Sequence, residues 1–239
     1  RVLDAYKNYL KTLFQMTGCD ASTAQQKMET VLAIETRIAQ ASYAEVKLRD
    51  VDANYHKMSY AQLLSQFPGI DWGNVFLASG FPAFDQVDVS QPEPIHEVEK
   101  ILAETSLDDL KTYAEAKVIA GASSQLSDAF RAEAFKLSSV RSGVQQDRPR
   151  WKRAVTLVSG TLGEAIGKLY VEKYFPESSK KRMLELVHSL QTALGQRIDE
   201  ATWMSPETKA QAREKLASFI IKIGYPDKWK DYSGLQVSD

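Results

Sequence analysis

Residues 2–14 read VLDAYKNYLKTLF, and Val2, Leu3, Tyr6, Tyr9, Leu10, Leu13 and Phe14 recur in it at three-and-four spacing. That spacing gathers the apolar side chains on one face of a helix. Gly18 follows where the backbone must turn left-handed to cap the helix end, a conformation that suits a residue without Cβ. The same rhythm recurs along most of the chain. It predicts a mainly α fold, an irregular multi-helix domain with at most one short β-hairpin or edge strand.

Working outward, Ser22 and Gln25 have capping-box spacing for a second helix. Its stripe is Ala24, Met28, Val31, Leu32, Glu35, Ile38 and Ala39, ending near Ser42. Glu35 within it reads as a partly exposed or paired carboxylate. Residues 44–57 break the pattern and read as an ordered loop. Ser59 and Gln62 then cap a short helix that ends near Phe67-Pro68-Gly69, and Asp71 caps another through Ala78, closed by Gly80. Val87 and Val89 alternate with polar neighbours, so residues 86–90 read as the one strand; Pro82, Pro92 and Pro94 around it favour an edge position.

From Pro94 the chain reads as nearly continuous helix. Ile95, Val98, Ile101 and Leu102 share a face, and Ser106 caps the next run through Leu107, Leu110, Tyr113, Ala114 and Val118. Leu126, Phe130, Ala134 and Leu137 form a shorter amphipathic piece, followed by residues 138–148 as the internal linker candidate. Pro149 suits the first turn of a long helix with a core face of Trp151, Val155, Val158, Leu162, Ala165, Ile166 and Leu169, ending near Tyr174. Gly160, Gly163 and Gly167 within it each cost about 1 kcal/mol against alanine. They read as a smooth strip where another helix backbone comes close. Ser178 or Ser179 starts the next helix, expected to bury Met183, Leu186, Val187, Leu190, Ala193, Leu194 and Ile198. Ser205-Pro206-Glu207 opens the last one, read through Leu216 and Ile220 to Gly224.

Bulk properties exclude more than they assign. The chain has 239 residues, 44% of them hydrophobic, enough for one large core or two small ones. Thirty basic against thirty-one acidic residues leave a net charge of −1, and with it no field to draw in nucleic acid. A single cysteine, Cys19, rules out an internal disulfide. No apolar run approaches the roughly 18 residues of a membrane span, so a soluble segment is expected. The opening at Arg1, already inside a helical pattern, suggests a fragment whose targeting signal, if any, lies upstream.

The histidines offer little chemistry. His96-Glu97-Val98-Glu99-Lys100 comes nearest to a zinc-protease helix, in which two imidazoles one turn apart hold the metal and the glutamate between them activates its water. Lys100 stands at the second ligand position, and an ammonium has no lone pair to donate. His56 and His188 have no partner at ligand spacing, and Cys19 has no assigned base. Arg148, Arg150, Lys152 and Arg153 around Trp151 form a short basic patch, read as salt-bridging rather than nucleic-acid binding. No spacing singles out a pair of carboxylates. The residues therefore name no catalytic or metal-binding position, and leave any substrate-binding position unknown.

Several segments nevertheless resemble one family. Arg49-Asp50 with Asn54-Tyr55-His56-Lys57-Met58, Trp151-Lys152-Arg153 with Leu169-Tyr170-Val171, Trp203-Met204 with Thr208-Lys209, and Ile223-Gly224-Tyr225-Pro226-Asp227 occur in the order found in the N-terminal region of the neprilysin and endothelin-converting-enzyme zinc metallopeptidases. The resemblance implies a helical lobe over residues 1–224 that caps a catalytic lobe and limits its cavity to peptides, with residues 225–239 as a connector. It places zinc and every catalytic residue downstream, and so implies no cofactor in this segment. The implied partners are the catalytic lobe of the same polypeptide and peptide substrates, with neither nucleic acid nor a membrane span. Ala154 stands where vertebrate members often carry cysteine; with the lone Cys19 this suggests a bacterial-type, disulfide-poor member, expected in the cell envelope or beyond the cytoplasm. The alternative is a free-standing helical scaffold whose apolar stripes bind partners.

Overall fold

The computed structural model describes residues 1–236 and divides the chain into two compact units, Arg1–Asp147 and Arg148–Asp239. The division falls inside the linker candidate 138–148, although the first residues of that segment still belong to a helix. The fold is mainly α, with a single two-stranded sheet among the described residues.

The first unit opens with α1 (Val2–Met16) and α2 (Ala21–Ala41). Gly18 sits at φ +102°, the left-handed turn between them. The cap of α2 is Asp20 rather than Ser22: its Oδ1 accepts from the Thr23 amide at 2.8 Å and its Oδ2 from the Thr23 hydroxyl at 2.9 Å. An aspartate two residues earlier reaches the free amides first and moves the helix start with it.

Two 3₁₀ turns, Lys47–Arg49 and Asp52–Asn54, then lead into β1 (Lys57–Ser59), α3 (Tyr60–Gln66), α4 (Trp72–Ala78) and β2 (Gln86–Asp88). The expected strand is present but two residues shorter, and its partner β1 begins at the end of the stretch read as loop. The pair is antiparallel, with Met58 opposite Val87. Three residues are too few for a period-two signal, so tertiary packing of Met58 decides the conformation. The capping box at Ser59 and Gln62 is complete in both directions. The unit closes with α5 (Pro92–Glu104), α6 (Leu107–Ala122) and α7 (Asp128–Ser142). Both Pro92 and Pro94 fit the first turn of α5, where the missing N–H would be unpaired in any case.

Two apolar clusters fill this unit. Leu10, Phe14, Ala24, Met28, Val31 and Ala116 pack α1, α2 and α6 together. Met58, Leu63, Phe67 and Val89 close the sheet onto α3. Ser123 is the buried polar residue; its hydroxyl donates to the Ile119 carbonyl at 2.8 Å and lies 3.1 Å from the Tyr9 hydroxyl.

The second unit contains α8 (Arg150–Thr161), α9 (Gly163–Tyr174), α10 (Glu177–Glu200) and α11 (Pro206–Ala217). Four expectations change here. The helix predicted across 149–174 breaks at Leu162, at φ −119° and ψ +38°, where flanking glycines make a break inexpensive. A Cβ added at Gly160 or Gly163 would meet nothing within 4 Å, so among the described residues no helix backbone is seated on these two glycines, and Gly167 faces the Trp229 ring at 3.7 Å. The last helix stops at Ala217, well before Gly224, because Ile220, Ile221 and Ile223 are β-branched and favour extended backbone.

The fourth change concerns burial. Of the fifteen buried apolar residues among those described, fourteen lie in the first unit; Ile198 is the exception. Met183, Leu186, Leu190 and Leu194 line one face of α10 at helical spacing, yet each is 40–60% exposed. Trp151 and Val155 on α8 and Leu169 on α9 are exposed to a similar degree. Periodicity identifies the apolar side of each helix correctly. Among its described residues, the second unit itself supplies no layer over these faces.

Candidate functional site

The near-zinc segment of α5 is fully occupied with structural work. His96 Nδ1 lies 3.0 Å from Glu99 Oε2, and its ring packs 4.6 Å from the centroid of Phe67. The other oxygen of Glu99 accepts the Gly69 amide at 2.6 Å, fixing the turn after α3. Glu97 pairs with Arg37 of α2 at 2.6 Å, and Lys100 lies 3.8 Å from Glu97. This donor set does not fit zinc, since an ammonium and two engaged carboxylates surround one imidazole. No group of three or more His, Cys, Asp or Glu among the described residues is placed to hold a metal ion.

The other single residues have local partners. His56 Nδ1 lies 2.9 Å from the Val89 carbonyl, tying the residue before β1 to the residue after β2. His188 is exposed on α10. Cys19 is half-buried against the first cluster beside Lys27, a neighbour that sequence distance hid. Lys27 is held charged chiefly by its 2.6 Å bond to Glu115, and Cys19 adds to that effect. In the basic patch, Arg153 donates to the Arg148 carbonyl at 3.1 Å, while Trp151 is 64% exposed with the Lys152 ammonium 5.4 Å from its ring.

Glu35 is paired, with Lys117 of α6. Next to it, burial pushes the Tyr6 hydroxyl well above its ordinary range, and a hydrogen bond to the Glu35 carboxylate pushes it further the same way. The folded protein therefore keeps this proton after an unfolded tyrosine has lost its own, so stability is fully present below about pH 10 and falls as pH rises beyond it. Tyr6→Phe is expected to flatten that alkaline limb of the stability curve in urea titrations from pH 8 to 11. A limb of unchanged slope would show that Tyr6 does not carry it.

Of the family-like segments, Trp151-Lys152-Arg153 and Leu169-Tyr170-Val171 lie within α8 and α9, and the others lie at or beside anchored turns. At residues 47–54, Asp50 Oδ1 accepts the amides of Asp52 and Ala53 at 3.1 Å, and Asn54 Nδ2 donates to the carbonyls of Lys47 and Asp50. After α10, Arg213 forks onto Asp199, which holds that carboxyl below its usual range, and Lys209 Nζ donates to the Asp199 carbonyl at 2.6 Å.

The most elaborate anchor is at 223–230. Lys180, with only 14% of its side chain exposed, donates to the Tyr225 carbonyl at 2.9 Å and to Asp227 Oδ1 at 2.6 Å. Its ammonium also stands 4.3 Å from the Tyr225 ring centroid. Tyr225 packs edge-on against Phe175 and stacks on Trp229, with centroids 5.8 Å apart and planes 6° from parallel. Glu164 Oε2 accepts the Lys230 amide at 2.6 Å. Gly224, at φ +70°, lies so close to Phe175 that a Cβ there would sit 2.5 Å from Cε1. An open groove of about 590 Å³ is lined by Glu164, Lys180, Leu184 and residues 220–227. The segment itself stands out in the sequence. Lys180 does not, because a lysine early in an amphipathic helix carries no sign of a partner forty-five residues away.

Residues 1–226 match the N-terminal sequence profile of peptidase family M13. The chain belongs to that family. As an M13 N-terminal lobe it is 28% identical over 239 residues to the neutral endopeptidase of Lactobacillus helveticus, covering 99% of this chain and 37% of that protein. It is 31% identical over 234 residues to the endothelin-converting enzyme-like 1 protein of Rattus norvegicus, covering 95% of this chain and 30% of that one. Among solved structures it resembles the zinc metalloprotease Zmp1 of Mycobacterium tuberculosis. Against the inhibitor complex the TM-score is 0.86 at 36% identity, covering 98% of this chain and 36% of that one; against the open state it is 0.80. The M13 chain thus spans about a third of the length of the curated relatives it matches. No helix among its described residues is long and apolar enough to cross a membrane.

Proposed function

We propose that this chain is the non-catalytic lobe of a zinc metalloendopeptidase that hydrolyses peptides, and that it caps the active-site cavity and restricts the size of what enters. The observation that carries this reading is the M13 match along residues 1–226 in a chain that leaves about two thirds of its relatives' length unaccounted for. Two features support it. The imidazoles of His56 and His96 are engaged in holding local structure, which supports placing the metal and catalytic groups in the remaining part of the polypeptide. The faces of α8, α9 and α10 left open in the second unit are what a lobe would present to the rest of its own chain.

The full-length parent is expected to cleave short fluorogenic peptides, to lose that activity on chelation and to regain it with zinc. It is expected to leave intact folded proteins uncut. Equal rates on peptides and intact proteins would sink the size-limiting role. Peptide hydrolysis by the 239-residue chain alone would sink the placement of the chemistry elsewhere.

A further inference from the structure

Between the end of α11 and the Lys180 anchor the chain runs through Phe219-Ile220-Ile221-Lys222-Ile223-Gly224 without regular structure. Burial alternates along it with period two: Ile221, Ile223 and Tyr225 are half-buried, while Ile220, Lys222 and Gly224 are exposed. That is the pattern of a strand lying on a surface. Ile221 faces a hollow shared with Gln191 and Thr192 of α10, and Ile220 is 84% exposed. Among the described residues, the amides of 220–224 donate to no protein acceptor, and the carbonyls of 220–222 accept from no protein donor. The segment is nevertheless held at both ends. Phe219 bonds back to Leu216 of α11, and Lys180, Phe175 and Trp229 fix Tyr225.

A β-branched run that alternates in burial, is pinned at both ends and is unpaired has the properties of a sheet edge prepared for another strand. Fixing its ends lowers the ordering cost of pairing before the partner arrives. We propose that residues 220–224 form a docking edge to which a β-strand adds, and that this strand comes from the part of the same polypeptide beyond this chain. This rests on reading the chain as the lobe of a longer peptidase. The M13 match ends at residue 226, just after the edge, and the curated relatives carry most of their length outside the matched part. A second copy fits less well. Antiparallel pairing of two identical edges about their midpoint sets Lys222 against Lys222, and like charges directly opposite each other weaken a strand pair.

Hydrogen exchange on the full-length parent, at two concentrations tenfold apart, tests the edge. Amides within 220–223 are expected to exchange at least about a hundredfold more slowly than in an unstructured peptide, equally at both concentrations. Lysine-directed cross-linking is expected to join Lys222 to residues beyond 239. Exchange at the unstructured rate, protection that disappears on dilution, or Lys222 cross-links confined to residues 1–239 would each overturn the proposal. Peptide hydrolysis by the same preparation scores the peptidase reading separately: active enzyme with unprotected amides removes the edge and leaves that reading standing.

Discussion

Phe14→Ala is expected to destabilise the first unit by about 3–5 kcal/mol, the range for truncating a fully buried phenylalanine. Phe14 is 1% exposed and sits in the cluster with Leu10, Ala24, Met28, Val31 and Ala116, so α1, α2 and α6 all lose contacts at once. The ring also lies 5.1 Å below the Lys27 ammonium, which itself bonds Glu115 of α6. Collapse of the helices into the cavity would pull that ion pair out of line, so relaxation recovers little. Urea unfolding followed by far-UV circular dichroism measures the loss, with Phe14→Leu as the volume-sparing comparison. A cost for the alanine variant below about 1.5 kcal/mol, the level of a conservative core swap, would mean that this cluster does not hold the unit together.

Gly224→Val should rank next. The left-handed conformation alone costs a residue with Cβ about 1–2 kcal/mol, and forcing aside the Phe175 ring adds about 1–3 kcal/mol, for a total of about 2–5 kcal/mol. The damage should be local. With Phe175 displaced, Tyr225 loses its edge-on partner, and the stack on Trp229 and the Lys180 bonds loosen with it. Limited proteolysis should then cut faster within residues 225–230, the stretch that these contacts hold, than in the unaltered chain. Gly234→Val is the control, since no positive φ is required there and an added Cβ meets nothing within 4 Å. Equal effects from the two substitutions would remove the argument from close approach.

Helices were legible in the sequence where their stripe was long, as in α1 and α2, and caps at Ser59, Asp71, Ser106 and Ser205, but not at Ser22, where Asp20 caps instead, nor at Ser178 or Ser179, since α10 already begins at Glu177. Among the short elements α3, α4 and β2 were legible and β1 was not, because β1 is decided by what Met58 packs against and not by any pattern in three residues. The Leu162 break and the early end of α11 lay hidden in apolar runs that fit helix and strand alike. The largest miss was the burial assigned to Met183, Leu186, Leu190 and Leu194: periodicity reports that a face wants cover and is silent on which molecule provides it. The segment 223–227 was recognisable, but its anchors Phe175 and Lys180 were not, since each acts across more than forty residues.

The uneven distribution of buried residues also sets a timetable for biosynthesis. Both apolar clusters of the first unit are complete within residues 1–147, so that unit can close while the ribosome is still working. In the proposed parent the open faces of α8, α9 and α10 must wait for several hundred further residues, on the order of tens of seconds at normal elongation rates. During that interval the nascent chain carries a finished domain followed by an adhesive one. Chaperone occupancy on stalled chains should accordingly be low at about residue 180, when only the first unit has fully emerged, and should rise once α10 has cleared the exit tunnel.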